Sequence, residues 1–448
     1  MVMNVEISQK PLNELLGLYI EDCACGKTHH VSTRQVADRL EDLNGLVERW
    51  IPAGALICVV DANTWKAAGE QAVAMIRKSG REVRLHRADE NSAEVHADEQ
   101  AVATLEAAVK RTGAVGMLAV GSGTINDICK TAATRAGCPL VTVATAASMN
   151  GYPSAISALS VGGVKITEPC VPPVAIVADP EILATAPPEM NRAGFGDLLS
   201  KNASTADWVM SHLLHGEYFC RLPAAVADAA LQRCITDAAA IRTRQPQGLQ
   251  VLIEALLRSG IAMVLAGSSA PASGGEHLIS HLWDMTAHWT SRTPALHGEQ
   301  TGVTTLISLA LYQKLLEMDT EALQRCRPQP PSASVQAFES EMHRVFKDLA
   351  EAVLPHARQK FLDANGLQRR RDHILAHWED LRRAMSAVVI PPQRSREHLL
   401  AVGAKVRAAE LGISDAELVF SYRYARWIRN RYCVLDLAAE IGVLDALE

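Results

Sequence analysis

Residues 118–133 read LAVGSGTINDICKTAA, where an apolar run gives way to a glycine-rich turn and then to a helical pattern. Glycines in such a turn let the backbone come close to a phosphate, and the following helix offers N–H groups and the positive end of its dipole. Asn126 stands where the full dinucleotide-binding fingerprint has its third glycine. From this stretch alone, a phosphate-binding turn and a plain structural turn both stay open.

Short apolar runs alternate with amphipathic or alanine-rich segments over the first 190 or so residues. Short runs rich in valine and isoleucine are typical of buried strands, and the segments between them have helical character. The alternation predicts a largely parallel sheet covered by helices. The predicted strands are ALICVVD (55–61), EVRLHRA (82–88), GMLAVGS (116–122), PLVTVAT (139–145) and PVAIVAD (173–179).

The pattern changes after Pro188, where strand-like runs nearly vanish. Long segments such as GLQVLIEALLRSGIAMVLAG and TGVTTLISLALYQKLLEM have helical periodicity instead. We therefore predict an α/β, Rossmann-like dinucleotide-binding domain over 1–188 and an all-α domain over 189–448. RCRPQPPSASV (325–335) is predicted to be a loop within the second domain.

Composition restricts the classes of partner and the compartment. The net charge of -6 and the absence of a dense Lys/Arg run argue against nucleic acid or an anionic membrane as partner. The N-terminal MVMNVEISQKPLNELLG lacks the pattern of a secretory signal, and no window is expected to approach the apolar length needed to span a bilayer. Most of the ten cysteines lie singly in apolar runs, which favours reduced core cysteines. We expect a cytoplasmic protein without membrane insertion.

Three short stretches in the helical part contain residues suited to bind a metal. RAGFGDLLSK contains Asp197, SGGEHLISH contains His277 and His281, and ALHGEQTGV contains His297. A carboxylate and two imidazoles would leave coordination positions open, the pattern of a catalytic zinc or related divalent ion. Histidines four apart share one helix face, so both, one or neither could be ligands. Glu276 precedes the first histidine, which disfavours the HExxH protease motif.

Two further segments are candidates for the cofactor side. In dinucleotide enzymes an acidic residue at a neighbouring strand end binds the adenine ribose, and Asp61 is the candidate here. Asp61 precedes the glycine turn rather than following it, so the simplest Rossmann template does not fit. If Asp61 reaches the ribose, its charge would favour NAD over NADP. Thr145, Ala146, Ala147 and Ser148 close the next predicted strand, either as a ring-binding segment or as a helix cap.

The N-terminal CACGKTHH offers Cys23, Cys25, His29 and His30, enough ligand atoms for a small metal site. The C-x-C spacing lacks the paired C-x-x-C of a strong zinc motif. A structural turn is the favoured interpretation, with a metal site as the alternative.

Five segments in this order, GSGTINDICKTAA, TAASMNGYPSAIS, AGFGDLLSK, SGGEHLISHLWDM and ALHGEQTGV, resemble the iron-containing alcohol dehydrogenase and dehydroquinate synthase superfamily. The terminal segments CACGKTHHV and RYARWIRNRYCVLDLAAEIGVLD are similar to those of the glycerol-1-phosphate dehydrogenases of bacterial arabinose-operon type. The resemblance implies a dehydroquinate synthase-like fold, NAD(H) or NADP(H) on the α/β domain, one divalent metal ion on the helical domain, and a homodimer.

The resemblance also implies residue roles. The pyrophosphate turn would comprise Gly121, Ser122, Gly123, Thr124 and Ile125. The nicotinamide side would comprise Thr145, Ala146, Ala147 and Ser148, with Ser154 as a further cofactor contact. The metal ligands would be Asp197, His277 and His297. Zinc is the first expectation for the metal, with nickel or iron as alternatives. His281 and Asn150 would be the catalytic residues, and the substrate would meet Asn150, Asp197 and His281. Lys165, where the chain returns toward the sheet edge, could meet a substrate anion.

The activity implied is reduction of glycerone phosphate, or a closely related small keto compound, to sn-glycerol 1-phosphate. Two positions depart from the family pattern: Asn150 replaces an aspartate, and Ala270 replaces an arginine that would suit a phosphate. A cyclase or lyase of dehydroquinate synthase type acting on a sugar phosphate, and a catalytically silent homologue that binds metal and cofactor, therefore stay as alternatives.

Overall fold

The computed structural model describes residues 2–90, 94–162, 164–329 and 332–444. The chain forms two compact units. The first comprises Met1–Leu198, Cys220–Ser269 and Ala401–Gly403, and the second comprises Leu199–Phe219, Ala270–Leu400 and Ala404–Glu448. The first unit thus extends past the predicted division at residue 188, because the helix that begins at Pro188 belongs to it as far as Leu198 and three later helices return to it.

The first unit is built on a six-stranded sheet in which every pairing is parallel. Its strands, in spatial order, are β3 (Gln35–Ala37), β10 (Ala175–Val177), β7 (Leu140–Ala144), β6 (Gly116–Gly121), β4 (Leu56–Val60) and β5 (Val83–Arg87). The five strands predicted from apolar runs are all present. β3 was missed because its three residues make too short a run to stand out from the polar sequence around it.

Helices cover both faces of this sheet. Along β4, Leu56, Cys58 and Val60 belong to one buried cluster, whereas Ile57 and Val59 belong to another. The alternation follows from the two-residue period of a strand, and apolar residues on both faces are what a doubly covered parallel sheet requires. The two clusters are therefore the layers that hold the first unit together.

Two small antiparallel hairpins accompany the sheet in the first unit. One pairs β1 (Tyr19–Ile20) with β2 (His29–His30), and the other pairs β8 (Ile156–Val161) with β9 (Val164–Pro169). The helices of this unit are α1 (Val2–Gln9), α2 (Leu12–Leu15), α3 (Leu43–Trp50), α4 (Ala62–Thr64), α5 (Glu70–Lys78), α6 (Glu99–Thr112), α7 (Gly123–Ala136), α8 (Pro180–Leu183), most of α9 (Pro188–Leu199), and, after a helix of the other unit, α11 (Arg221–Thr236), α12 (Ala238–Arg242) and α13 (Pro246–Ala266). Shorter helical turns are Leu40–Asp42 and the π-helical Trp65–Gly69.

α13 is the one helix in the described chain that is long and apolar enough to cross a membrane by length and composition, with a mean hydropathy of 1.7 over its most apolar stretch. The expectation that no such stretch exists was therefore wrong for Pro246–Ala266. Of that stretch, 78% is buried inside the protein, and α13 packs against α11, α12 and α8. A core helix has this composition because all its sides are covered.

The second unit is helical throughout the part that the structure describes, so the predicted fold class of an α/β domain followed by an all-α domain is confirmed. Its helices are α10 (Lys201–His215), α14 (Gly275–Thr286), α15 (His297–Leu316), α16 (Thr320–Arg325), α17 (Val335–Phe346), α18 (Ala350–Lys360), α19 (Ala364–Ala376), α20 (Trp378–Ser386), α21 (Pro392–Ala401), α22 (Asp415–Tyr424) and α23 (Val434–Ile441). Shorter turns are Ala287–Thr290, Lys347–Leu349, Ala408–Leu411 and Ala425–Ile428. The predicted loop at 325–335 begins inside α16 and falls partly outside the described residues.

Candidate cofactor edge and histidine cluster

The glycine turn joins β6 directly to α7. A Cβ atom on Gly121 would lie 2.4 Å from the Cβ atom of Ile125, so the fold itself requires glycine there. A Cβ atom on Gly123 would meet only the Met149 side chain, at 3.4 Å, which is ordinary contact. Ser122, the residue before α7, makes no side-chain capping hydrogen bond. The amino end of a helix of 14 residues is thus left uncapped beside a glycine that the packing does not require.

Asp61 follows β4 at the same edge of the sheet. The chain passes from β4 to β5 on one side and then returns to β6 on the other side of β4, so the strand order reverses between β4 and β6. Ligands of open α/β sheets bind at the carboxyl ends of the strands at such a reversal. Asp61 Oδ1 also accepts the Asn63 and Thr64 N–H groups, at 2.9 and 2.8 Å, and so caps α4.

The segment of residues 145–148 leaves β7 next to the glycine turn. The Thr145 N–H group donates to the Gly121 carbonyl at 3.2 Å, and the Tyr152 hydroxyl donates to the Ala146 carbonyl at 2.8 Å. α9 passes so close to this segment that a Cβ atom on Gly194 would lie 1.9 Å from the Ala147 carbonyl oxygen. These contacts fix the backbone of the segment against both the turn and α9.

Asn150 links this segment to α9 and α13. Its backbone N–H donates to Asp197 Oδ2 at 2.9 Å, and its side-chain Nδ2 donates to Ser259 Oγ at 3.2 Å. α13 can approach because Gly260 has no side chain: a Cβ atom there would lie 2.3 Å from the Asn150 carbonyl oxygen. The Asn150 amide therefore takes part in packing within the first unit, a structural use that the sequence did not indicate.

Sequence reasoning missed Lys130, which is fully buried on α7. Its Nζ donates to the Gly151 carbonyl at 2.8 Å and to Ser154 Oγ at 3.0 Å, and it pairs with Asp127 at 3.0 Å. The signal available in the sequence was a lysine in an otherwise apolar run, three residues after an aspartate.

Ser154 is 1% exposed and its hydroxyl also donates to the Ile156 carbonyl, so its observed contacts lie within the protein. Its proposed contact with the cofactor stays a prediction.

Lys165 lies on β9, opposite Ser160 of β8. This hairpin is a separate two-stranded sheet and not a continuation of the main one. After β9 the chain continues into β10, which lies in the main sheet between β3 and β7. A contact between Lys165 and a substrate anion stays a prediction.

In the second unit, three histidines come together, and we call them the histidine cluster. The His277 and His297 ring centroids are 5.1 Å apart, those of His277 and His281 5.9 Å, and those of His281 and His297 5.7 Å. His277 and His281 lie one turn apart on α14, and His297 is the first residue of α15. The spacing on one helix was predictable, whereas the approach of His297 depends on how α15 packs against α14.

Glu276 orients the first of these histidines. Its Oε1 lies 2.8 Å from His277 Nδ1, an arrangement in which Nδ1–H donates to the carboxylate and Nε2 keeps its lone pair. Such a carboxylate behind a histidine is the usual support of a metal-binding imidazole. The sequence analysis used Glu276 only to exclude a protease motif and missed this role.

Asp207 lies beside Glu276 at the amino end of α14. It accepts the Gly275 and Val434 N–H groups, each at 2.7 Å, and the Tyr312 hydroxyl at 2.5 Å. Burial raises the pKa of both carboxyls, and for Asp207 the charge of Glu276 adds to the effect. The amino end of α14 is thus occupied by two carboxyl groups of the chain itself, which compensate the helix dipole.

Comparison with known proteins identifies the family. Residues 35–187 match the family model described as iron-containing alcohol dehydrogenase. The glycerol-1-phosphate dehydrogenase (NAD(P)+) of Halalkalibacterium halodurans is 36% identical over 308 residues, which cover 68% of this chain and 77% of that protein. The enzyme of the same name from Geobacillus stearothermophilus is 31% identical over 438 residues, which cover 96% of this chain and 98% of that protein. The crystal structure of a probable glycerol dehydrogenase from Sinorhizobium meliloti 1021 superposes with a TM-score of 0.60 at 17% identity, over 92% of this chain and 96% of that one.

Fold, glycine turn and sequence matches define an NAD(P)-dependent dehydrogenase of the iron-containing alcohol dehydrogenase superfamily. Within that superfamily the chain belongs to the glycerol-1-phosphate dehydrogenase family, which confirms the resemblance carried by its motifs.

Proposed function

We propose that the protein reduces glycerone phosphate to sn-glycerol 1-phosphate with NADH or NADPH and with one divalent metal ion. The observation that carries this proposal is the similarity, over nearly the whole of both chains, to the Geobacillus stearothermophilus protein named glycerol-1-phosphate dehydrogenase (NAD(P)+). Zinc is the first expectation for the metal, with nickel and iron as alternatives that a carboxylate and two imidazoles also suit.

Asp197, His277 and His297 are the proposed metal ligands. His277 and His297 belong to the histidine cluster, and Asp197 is the carboxylate that the family resemblance adds to them. His277 fits the role because Glu276 holds its Nδ1 side and leaves Nε2 for a ligand bond. Asp197 fits because it is 1% exposed and one of its oxygens is held by the Asn150 N–H group. Three protein ligands leave room for a substrate oxygen, as a catalytic site requires.

The cofactor is proposed to bind at the edge where β4 and β6 end. Backbone N–H groups at the start of α7 can take the pyrophosphate, and Gly123 adds no Cβ atom that would stand in its way. Thr145 and Ser148 leave the neighbouring strand with hydroxyl groups that can meet the nicotinamide side. Asp61 is proposed to bind the ribose hydroxyls with the oxygen that does not cap α4.

When bound, the divalent ion would polarise the substrate carbonyl, and the nicotinamide would supply the hydride. His281 is proposed to give a proton to the substrate oxygen as the carbonyl becomes a hydroxyl. Its place one turn after His277 on α14 keeps it beside the proposed ligands without making it one. Asn150 is proposed to contact the substrate and to take part in catalysis.

The substrate is the part of the proposal that most needs a direct test, because Ala270 offers no charge to a phosphate. Ala270 is 3% exposed, so the position is filled by packing. The decisive experiment is oxidation of NADH and of NADPH by the purified, metal-loaded protein with glycerone phosphate and, separately, with unphosphorylated glycerone. Faster turnover of the phosphorylated ketone with formation of sn-glycerol 1-phosphate is expected.

Three other outcomes would contradict the proposal in different ways. Preference for unphosphorylated glycerone would mean a dehydrogenase for another small ketone. Phosphate release from a sugar phosphate without net loss of NADH would indicate a cyclase or lyase. Binding of metal and cofactor without turnover that Asn150→Asp makes active would indicate a silent homologue.

His297→Ala is the matched control, since it removes a proposed metal ligand and leaves the residues of the first unit unchanged; it is expected to be inactive. Cytoplasmic location and a homodimer stay predictions.

A further inference from the structure

A second group of ligand-type side chains lies wholly within the first unit. Cys23 and Cys25 lie on the loop between β1 and β2, His29 begins β2, and Cys220 directly precedes α11. One ligand atom from each lies within 4.8 Å of all the others. We propose that this group, which we call the cysteine cluster, binds a structural Zn²⁺ ion. The site is separate from the histidine cluster and does not rest on the proposed function.

The distances match those between the ligands of a tetrahedral zinc ion. Cys23 Sγ and Cys220 Sγ are 3.8 Å apart, and His29 Nε2 lies 3.3 Å from Cys25 Sγ and 3.7 Å from Cys220 Sγ. With zinc–sulfur bonds of about 2.3 Å, the sulfurs of a regular tetrahedron are about 3.8 Å apart. A zinc–nitrogen bond of about 2.0 Å places that nitrogen about 3.5 Å from each sulfur. Three thiolates and one imidazole are a common ligand set of structural zinc.

His29 is held in the orientation that a zinc ligand needs. Its Nδ1 lies 2.6 Å from the Leu265 carbonyl oxygen on α13, so Nδ1–H donates there and the lone pair of Nε2 points to the sulfurs. A backbone carbonyl on the other ring nitrogen is a typical support for a metal-binding histidine. His29 is 2% exposed, so contact with solvent does not determine the orientation of its ring.

The loop that carries two of the cysteines is shaped for the same arrangement. The Gly26 N–H group donates to the Cys23 carbonyl at 2.9 Å, closing a tight turn. Gly26 has φ +78, a left-handed conformation that favours glycine. Cys23 and Cys220 are 8% and 2% exposed, so their sulfurs face the protein interior. The turn therefore places Cys23 in the interior near Cys220 and the partly buried Cys25 beside His29.

A disulfide accounts for fewer of these features. All ten cysteines lie in the described chain, and none of them is in a disulfide. A bond between Cys23 and Cys220 would use two of the four groups and leave the orientation of His29 and the approach of Cys25 unexplained. Zinc uses all four, and because all four positions are then filled by the protein, its role is structural. It would tie the N-terminal hairpin to α11 across the 197 residues that separate Cys23 from Cys220.

The test uses the full-length protein purified under reducing conditions. Zinc is measured by elemental analysis and by its release on titration with a mercurial thiol reagent. The zinc is then replaced by Co²⁺, because thiolate ligands give cobalt an intense charge-transfer absorption that nitrogen and oxygen ligands do not. We expect that absorption in the wild type and, undiminished, in His297→Ala. Retention in His297→Ala separates this site from the proposed catalytic one, whichever way the test of function turns out.

Variants locate the ligands. Cys25→Ser is expected to remove the charge-transfer absorption and one zinc ion per chain, whereas His29→Cys, which keeps a ligand atom, is expected to retain zinc. Cys138→Ser is the matched control, because Cys138 is a partly buried free cysteine of the same unit outside the cluster. Wild-type protein without zinc and without cobalt–thiolate absorption would overturn the proposal, as would a Cys23–Cys220 disulfide found by mass spectrometry in the reduced preparation. The wild-type measurements decide the matter even where a variant does not fold.

Discussion

Two helices, one in each unit, begin at similar glycine-containing sequences, but their amino ends have different hydrogen-bond partners. GSG opens α7 in the first unit and SGG opens α14 in the second. At α7 no side chain caps the helix, and a Cβ atom on Gly123 would make only ordinary contact with Met149. At α14 the Gly274 and Gly275 N–H groups donate to Glu276 and Asp207, at 2.8 and 2.7 Å.

The difference separates two ways of using a helix amino end. The dipole at α14 is already compensated by carboxyl groups of the chain, and one of them, Glu276, also holds His277. The dipole at α7 has no such partner among the described side chains and can serve the phosphates of a dinucleotide. Cofactor binding at α7 should therefore depend on backbone N–H groups and on the absence of a side chain at Gly123. Catalysis at α14 should depend on particular side chains.

The largest expected effect comes from removing a side chain at α14. His277→Ala should lower kcat/KM by about a thousandfold or more, because a metal ion supplies several kcal/mol of transition-state stabilisation and each 1.4 kcal/mol is about tenfold in rate. Steady-state kinetics together with metal content measure the effect, and the melting temperature shows whether the fold is kept. Full activity in a folded His277→Ala protein would remove the histidine cluster from the chemistry.

Metal removal tests the two clusters against each other. Dialysis against a chelator should abolish activity before it lowers the melting temperature, because the proposed catalytic ion has an open coordination position and the proposed cysteine-bound ion has none. Adding Zn²⁺ or Ni²⁺ should restore the activity. Simultaneous loss of activity and of melting temperature at every chelator concentration would argue against two separate sites.

The sequence predicted local features well and long-range approaches poorly. Apolar runs revealed five of the six strands of the main sheet, since a buried parallel strand needs apolar residues on both faces. Periodicity identified α13 as a helix, but a buried helix has the same sequence pattern in either unit, so the sequence did not show that α13 belongs to the first unit. Cys23 and Cys25 were visible as possible ligands, whereas Cys220, which completes that group, lies 197 residues from Cys23.

Glycine substitutions at α7 should separate packing from recognition. Gly121→Ala should destabilise the protein by about 2 kcal/mol, because overpacking a filled site costs about 1–3 kcal/mol and its Cβ atom would lie 2.4 Å from that of Ile125. Gly123→Ala should leave the melting temperature unchanged, yet raise KM for the nicotinamide cofactor about tenfold, equivalent to about 1.4 kcal/mol of lost binding. Thermal unfolding and cofactor titration measure the two effects. An unchanged KM in Gly123→Ala would show that the turn at α7 is purely structural.

Replacing the carboxylate behind His277 should have an effect of similar or smaller size. Glu276→Gln should weaken metal binding about tenfold, the lower end of what loss of such a partner costs, because glutamine keeps an acceptor oxygen but loses the charge. Competition with a chelating dye measures the affinity. Glu440→Gln is the control: Glu440 is a buried carboxyl of the same unit that contacts Tyr432 and Arg370 instead of a histidine. Equal metal affinities in the two variants would contradict the role of Glu276.

The smallest effect is expected at Asp61, where one carboxylate is proposed to serve both as helix cap and as ribose ligand. Asp61→Ser keeps an oxygen that can cap α4 but removes the charge, so stability should change little while the preference for NADH over NADPH falls by a few-fold. The ratio of kcat/KM for the two cofactors is the measurement. Asp98→Ser is matched to it, because Asp98 caps α6 in the same way, by accepting the Ala101 N–H group at 2.8 Å, and should leave that ratio unchanged. A ratio that moves equally in both variants, or in neither, would mean that Asp61 only caps its helix, and the cofactor edge would then consist of backbone groups alone.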